Sequence, residues 1–157
     1  MDLFLMRHGE AAPGDDDAQR PLTDAGRRAV SAVARSAGRA GVKIDAIRHS
    51  GLVRASESAT ILAGQFGITA EAAPGLLPDD EVRPVIDWLA GHDDSGALAL
   101  VGHVPFLNRL AAALTGASEQ LPPARFAPAS MMKLVPRASG DSLVVEWLIT
   151  SDLAGEE

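Results

Sequence analysis

Four side chains suited to handling phosphate follow apolar segments of the chain. Arg7 and His8 stand directly behind the run Leu3–Met6, while Arg54 and His103 follow two later apolar segments. A guanidinium binds phosphate oxygens with two parallel hydrogen bonds, and a neutral imidazole is a competent nucleophile toward phosphorus. Each residue alone is more typical of a surface charge or a turn histidine. Brought together, they predict phosphoryl transfer.

The apolar segments alternate between strand and helix periodicity, which is typical of an α/β domain. Strands are predicted over residues 2–6, 45–50, 69–72, 97–101, 130–135 and 142–150, the last two forming a hairpin through Ser139, Gly140 and Asp141. Four helices are predicted, the first capped by Thr23 and stopped by Gly38 and Gly41, the next two ending at Gly67 and Gly91, and the fourth opened by Pro105 as its first residue.

These elements predict a three-layer α/β/α sandwich, with a mostly parallel central sheet and a C-terminal antiparallel hairpin. In open α/β sheets, ligands bind in the crevice beyond the carboxyl ends of the parallel strands. All four phosphate-handling side chains fall at that edge, so we expect them to converge. The stretch 121–128, which carries prolines, is predicted as a surface loop, and residues 155–157 as a frayed tail.

Composition limits the classes of protein. A chain of 157 residues that is 46% hydrophobic and 22% charged predicts one globular domain spanning residues 1–157. The absence of cysteine excludes disulfides, thiolate catalysis and cysteine-ligated metals. A net charge of −7 argues against a nucleic-acid partner. No signal-like or membrane-spanning apolar run is found, so we expect no membrane association and a cytoplasmic location.

Four sequence segments carry a resemblance to a known family. They are LMRHGEA (residues 5–11), RPLTDAG (20–26), HSGLVRASESA (49–59) and LVGHVPFL (100–107). In this order they resemble the histidine phosphatase superfamily, the phosphoglycerate-mutase-like enzymes, and most of all its short SixA-type phosphohistidine phosphatases. The resemblance implies the phosphoglycerate-mutase-like fold. It also implies that His8 becomes phosphorylated and that Arg7, Arg54 and His103 hold the phosphoryl group.

One position departs from the family pattern. Gly51 stands where related chains often have proline, and we expect this to alter a turn rather than the chemistry. Gly9 is interpreted as a close-packing position, because a side chain there would block the phosphate or strain the turn.

The chemistry can also be stated from the residues alone. Neutral His8 attacks phosphorus in line with the leaving group, while Arg7, Arg54 and a donor from His103 stabilise the equatorial oxygens. No cofactor or metal is required. Arg20 is a further phosphate-binding candidate, with a salt bridge to one of the neighbouring acids as an equal alternative, namely Asp15, Asp16 or Asp17.

The acid that protonates the leaving group is less defined. Asp79, Asp80 and Glu81 lie where mutase relatives carry a catalytic glutamate, but acids before a helix are expected anyway, and SixA-type chains lack a clear equivalent. Glu10 has the same ambiguity. His49 and His92 resemble catalytic histidines only superficially and are assigned no role.

The leading hypothesis is a phosphohistidine phosphatase acting through a covalent intermediate on His8. Its expected ligands are a phosphoprotein, such as a histidine-phosphotransfer domain, and a phosphate or sulfate anion in the site. The segments 10–22, 73–80 and 121–128 are too short to form a separate lid domain, which favours a protein substrate.

Three alternatives remain beside this hypothesis. The first is a phosphatase or mutase for small phosphate esters. The second is a metal-dependent phosphoesterase with His8, His103 and acidic neighbours as ligands, which the lack of a recognised ligand spacing and the two nearby arginines disfavour. The third is a catalytically silent phosphate-binding or phosphoprotein-binding module, although binding alone would not require a nucleophile.

Overall fold

A computed structural model describes residues 2–92, 96–118, 120–140 and 142–155. Within these ranges six strands form one sheet: β1 (Leu3–Arg7), β2 (Ala46–His49), β3 (Ala70–Ala72), β4 (Leu98–Gly102), β5 (Met131–Pro136) and β6 (Leu143–Ile149). Five α-helices accompany it: α1 (Asp24–Arg39), α2 (Val53–Phe66), α3 (Arg83–Ala90), α4 (Phe106–Thr115) and α5 (Ser151–Ala154). The strand order is β3-β2-β4-β1-β5-β6.

The sheet is parallel over four strands and antiparallel at one side. β1 pairs in parallel with β4, and β2 pairs in parallel with both β4 and β3. β5 runs antiparallel to β1, and β6 antiparallel to β5. This confirms the predicted mostly parallel sheet with a C-terminal hairpin, although Asp141 in the predicted turn lies outside the described residues.

The alternation of side chains along β1 divides the core into two layers. Leu3 and Leu5 point to a cluster formed with α3 and α4, and Phe4 and Met6 point to a second cluster formed with α1 and α2. All four side chains are at most 1% exposed. Because helices cover both faces of the sheet, the predicted three-layer α/β/α sandwich is confirmed.

Helix ends follow the predicted signals with two corrections. The Thr23 hydroxyl accepts a hydrogen bond from the Gly26 N–H at 2.9 Å and caps α1 as predicted. Gly38, predicted as a stop, lies inside α1, where a side chain would collide with Gln65 of α2. Pro105 precedes α4 as its cap residue and is not the first helical residue.

Two segments differ from the sequence-based expectation. The short helix α5 was not predicted. The stretch 121–128 is not wholly a surface loop, because Phe126 is only 4% exposed and packs in the cluster with α3 and α4. Of the predicted frayed tail, residues 156 and 157 lie outside the described ranges. No helix in the described part of the chain is long and apolar enough to cross a membrane.

Two glycines allow the turn after β1 to press against α1. A Cβ on Gly9 would lie 2.8 Å from the Gly26 carbonyl oxygen and 2.9 Å from a Val30 methyl group. A Cβ on Gly26 would collide with the Glu10 carbonyl oxygen. A side chain on Gly9 would therefore collide with helix α1, which gives the close packing at this position a structural cause.

This contact predicts an unusual result for glycine substitution in a helix. Gly26→Ala should lower the free energy of unfolding by about 1–3 kcal/mol, because overpacking outweighs the better helix propensity of alanine. Gly64 is a matched control, since it lies inside α2 with open space around its Cβ position. Gly64→Ala should stabilise the fold by up to about 1 kcal/mol. Urea unfolding of both variants checks this, and equal effects would contradict the close contact.

Candidate active site

The two histidines of the site follow neighbouring parallel strands at the same sheet edge. Arg7 ends β1 in register with Gly102, which ends β4, so His8 and His103 are the first residues after each strand. The His8 N–H donates to the Gly102 carbonyl at 3.0 Å. The two imidazole centroids are 5.0 Å apart. The sheet thus brings together the two histidines that the sequence places 95 positions apart.

The imidazole of His8 has one nitrogen engaged by the backbone. Its Nδ1 is 2.6 Å from the Gly9 carbonyl oxygen, and because a carbonyl only accepts, Nδ1 carries the proton and Nε2 keeps its lone pair. Burial is the main cause that lowers the pKa of His8 to about 4. The hydrogen bond to the Gly9 carbonyl raises this pKa, and the positive charges of Arg54, Arg7 and Arg20 lower it further. At neutral pH the ring is therefore neutral, with Nε2 available as a nucleophile.

His103 is the more deeply buried histidine, at 1% exposure. Its Nε2 lies 2.6 Å from the Ser50 hydroxyl, while its buried Nδ1 has no hydrogen-bond partner among the described residues. Burial, with smaller contributions from His8, Arg54 and Arg7, lowers the pKa of His103 to about 3. The ring is thus a neutral group with one nitrogen left to interact with a ligand.

Arg7 is held by the segment before β5. Its Nη1 donates to the Phe126 carbonyl at 2.8 Å, and its buried Nε has no partner among the described residues. The Arg7 N–H also donates to the Ser130 carbonyl at 3.1 Å, and the Ala129 N–H donates back to the Arg7 carbonyl at 3.1 Å. Burial lowers the pKa of Arg7 from its ordinary value, but the group stays charged at neutral pH. No sequence motif indicates these contacts of Arg7.

Arg54 enters the site from the first turn of α2 and is bound to Asp17. Its side chain is only 7% exposed, with Nη1 2.8 Å from the Asp17 carbonyl oxygen and Nη2 3.2 Å from the Asp17 carboxylate. Arg20 binds the same carboxylate at 2.9 Å, and its Nε donates to the Ala12 carbonyl. Hydrogen bonding to Arg20 and the charge of Arg54 lower the pKa of Asp17. Arg20 therefore has the predicted salt bridge and also lies near the site.

A buried serine joins the turn after His8 to α2. The Gly9 N–H donates to the Ser58 hydroxyl at 3.0 Å, and that hydroxyl donates to the Arg54 carbonyl at 2.7 Å. Ser58 is 0% exposed. The positions of the His8 turn and of the helix that carries Arg54 are thus coupled by one side chain. Sequence analysis did not single out Ser58, because a serine on an apolar helix face has no distinctive spacing.

The general-acid candidates have other contacts or lie exposed. The Glu10 carboxylate accepts from the Thr23 hydroxyl at 2.8 Å, beside the cap of α1. The Asp80 carboxylate accepts from the Leu77 N–H at 2.9 Å within its own turn. Asp79 and Glu81 are exposed. None of these four carboxylates contributes to the lowered pKa values of the two site histidines, so the structure does not single one out as the acid.

The two histidines that were assigned no role have structural contacts. His49 Nδ1 accepts from the Gly51 N–H at 3.1 Å, and the His92 ring packs 5.2 Å from that of Trp88. Gly51 has a φ of 92°, a conformation closed to proline, so the turn here differs from one built on the family's usual residue. Throughout the described residues, no group of three histidine, aspartate or glutamate side chains is placed to hold a metal ion.

The lowered histidine pKa values predict a specific pH dependence of stability. Below pH 6.5 the unfolded chain, whose histidine pKa values are near 6.5, binds more protons than the folded protein does. The contribution of the two histidines to the free energy of unfolding is therefore fully present above pH 6.5 and is lost as the pH falls toward 4. Between pH 7 and pH 5 we expect a loss of up to about 2 kcal/mol for each of His8 and His103. Urea unfolding at both pH values measures this. The double variant His8→Asn, His103→Asn should show a smaller difference, and an equal difference would contradict the assignment.

Comparison with known proteins identifies the family. The model of the histidine phosphatase superfamily (branch 1) matches residues 3–77. An uncharacterized protein of Picosynechococcus sp. (strain PCC 7002) is 34% identical over 120 residues, covering 73% of this chain and 73% of that protein. The chain therefore belongs to the histidine phosphatase superfamily and has its phosphoglycerate-mutase-like fold.

Solved structures of phosphatases share this fold over nearly the whole chain. The protein histidine phosphatase SixA, complexed with tungstate, superposes with a TM-score of 0.88 at 25% identity, covering 99% of this chain and 100% of that one. A putative α-ribazole-5'-P phosphatase of Escherichia coli K-12 superposes with a TM-score of 0.78 at 18% identity, covering 96% and 97%. The resemblance to SixA-type enzymes is confirmed, and the class of the chain is phosphatase.

Proposed function

We propose that this protein is a phosphohistidine phosphatase that hydrolyses phosphohistidine on a protein through a phosphoryl intermediate on His8. The observation that carries the proposal is the state of the His8 ring. The Gly9 carbonyl engages Nδ1 at 2.6 Å, and the pKa of about 4 leaves Nε2 unprotonated beside guanidinium groups. A neutral nucleophile next to fixed positive charge is the combination that phosphoryl transfer requires.

The reaction proceeds in two displacements. Nε2 of His8 forms a bond to phosphorus as the P–N bond to the substrate imidazole breaks, and the departing nitrogen takes a proton. Water then attacks the phosphorylated His8 and releases inorganic phosphate, which restores the free ring. Arg7, Arg54 and His103 stabilise the charge on the equatorial oxygens in both steps, and no metal ion is needed.

The nature of the leaving group fits the absence of a clearly placed carboxylic acid. The nitrogen of a phosphoramidate leaves readily once protonated, so it asks less of a general acid than an ester oxygen does. The exposed or otherwise engaged positions of Asp79, Asp80, Glu81 and Glu10 are therefore compatible with phosphohistidine.

The exposure of Asp17 beside Arg54 supports a phosphoryl group presented on a protein surface. The Asp17 side chain is 68% exposed although it contacts Arg54, whose side chain is 7% exposed. Arg54 is therefore nearly buried itself, but its ion-pair partner Asp17 lies at the protein surface. A partner such as a histidine-phosphotransfer domain could present its phosphohistidine there without the opening of a lid domain.

The second candidate is a phosphatase for small phosphate esters. The same fold serves a protein described as a putative α-ribazole-5'-P phosphatase, and the proposed roles of His8, Arg7, Arg54 and His103 would be unchanged. The two candidates differ in the leaving group and in how the substrate is presented.

A side-by-side assay distinguishes them. We expect kcat/KM to be higher for a phosphohistidine peptide and a phosphorylated histidine-phosphotransfer domain than for a phosphoserine peptide or phosphoglycerate. Each assay is repeated with EDTA, which should leave the rates unchanged. Preference for phosphoglycerate or another small ester would replace the proposed substrate. Loss of activity in EDTA, restored by adding metal, would instead support a metallophosphoesterase.

A further inference from the structure

Ser50 lies at the end of β2 and contacts His103 across the site. Its Oγ is 2.6 Å from His103 Nε2. The same oxygen accepts a hydrogen bond from the Leu52 N–H at 3.3 Å, within the turn that leads into α2. Either the hydroxyl donates to Nε2 or Nε2 donates to the hydroxyl, and the two cases place the imidazole proton on different nitrogens.

The contacts of the Ser50 oxygen favour one direction of this hydrogen bond. The Leu52 N–H occupies one lone pair of that oxygen, and within the described residues His103 Nε2 is the acceptor that contacts the hydroxyl. This arrangement favours donation by the hydroxyl to Nε2 of His103. A neutral imidazole whose Nε2 accepts carries its proton on Nδ1.

We propose that Ser50 is a positioning residue, whose hydroxyl holds His103 in the Nδ1–H tautomer so that Nδ1 donates to a phosphoryl oxygen. Nδ1 is the only ring nitrogen left for that purpose, because Nε2 is engaged by Ser50. It is also a buried nitrogen without a partner among the described residues, and because buried polar groups are usually hydrogen-bonded, this exception calls for a partner such as a ligand oxygen. The inference rests on the proposed function for the identity of the ligand, but not for the position of the proton.

The tautomer can be measured without turnover. Long-range ¹H–¹⁵N correlation spectra of the uniformly labelled protein distinguish an imidazole protonated on Nδ1 from one protonated on Nε2. We expect the Nδ1–H pattern for wild-type His103, and a change of its Nδ1 resonance when inorganic phosphate is added. An Nε2–H pattern in the wild-type protein, or no response to saturating phosphate, would overturn the proposal.

Three variants then connect the tautomer to activity. Ser50→Ala should give a mixture of the two tautomers and lower kcat about 10-fold, less than the 10²–10³-fold loss typical of deleting an oxyanion donor altogether. Ser50→Thr keeps the hydroxyl and should restore both readouts. Ser56→Ala is the matched control and should change neither, because Ser56 lies in α2 and its hydroxyl makes no hydrogen bond within the described part of the chain.

The outcomes separate this inference from the proposed function. If Ser50→Ala retains kcat within twofold of wild type, or loses activity without a change in the His103 tautomer, Ser50 does not position the ring. If the phosphohistidine peptide is not hydrolysed but phosphate still shifts Nδ1 of an Nδ1–H ring, the substrate assignment fails and the role of Ser50 stands.

Discussion

Replacing His8 with alanine should reduce turnover of phosphohistidine peptide by at least about 10³-fold, because the variant has no group to accept the phosphoryl. Wild-type enzyme mixed rapidly with the substrate and quenched in base should carry one phosphoryl group on His8, stable to base and labile to acid. Intact-protein mass spectrometry followed by peptide mapping detects it. The His8→Ala protein should carry none.

His92 provides a matched control for this experiment. It is a histidine that follows α3 and packs against Trp88. His92→Ala should retain turnover within a few-fold of wild type and should still be labelled at His8. A label on a serine, or near-normal turnover by His8→Ala, would show that His8 is not the nucleophile.

Arg54→Lys should lower kcat/KM by about 100-fold or more, comparable with the loss of one oxyanion donor, although the positive charge is kept. The guanidinium of Arg54 is nearly buried and uses both terminal nitrogens toward Asp17, at 2.8 and 3.2 Å. A planar fork of this kind can bind two phosphoryl oxygens at once, whereas an ammonium is a point charge on a flexible chain. Steady-state kinetics with the phosphohistidine peptide measure the effect.

Arg27 is a matched control for the replacement of arginine by lysine. It is an exposed arginine of α1, the helix that packs with α2 on one face of the sheet. Arg27 makes a surface ion pair with Glu57 at 2.9 Å and is 45% exposed. Because such pairs contribute little, Arg27→Lys should leave kcat/KM within twofold and stability within about 0.5 kcal/mol. If Arg54→Lys behaves in the same way, Arg54 does not bind the phosphoryl group.

The architecture and the strand ends could be predicted because they depend on local patterns. The apolar run before Arg7, the Thr23 cap and the glycine after α2 each have a local physical cause that the sequence displays. Parallel strands then bring their carboxyl ends to one edge, which is why His8 and His103 could be expected near each other. Boundaries shifted by a residue or two, as is usual for helix and strand ends.

The supporting contacts could not be predicted, because each joins positions far apart in the chain through a generic group. The Phe126 carbonyl that holds Arg7 is 119 positions away, and a backbone oxygen leaves no signature in the sequence. Ser58 and Ser50 act through single hydroxyls, whose partners depend on how α2 packs. The sequence indicates Asp17 only as one possible partner of Arg20, because no local pattern shows that its carboxylate also contacts Arg54.

The register of β1 against β4 sets the distance between the two imidazoles through the backbone. His8 and His103 follow a directly paired position, and their 5.0 Å separation is close to the roughly 4.8 Å that divides any two adjacent strands. A slip of β4 by one residue would turn His103 to the opposite face of the sheet. The same slip would exchange the leucines of β4, Leu98 and Leu100, with the smaller Ala99 and Val101 between the two core layers. The pattern of large and small side chains in the core therefore maintains the spacing of the two histidines. If these histidines act as proposed, substitutions in that pattern lower activity even where no site residue is changed.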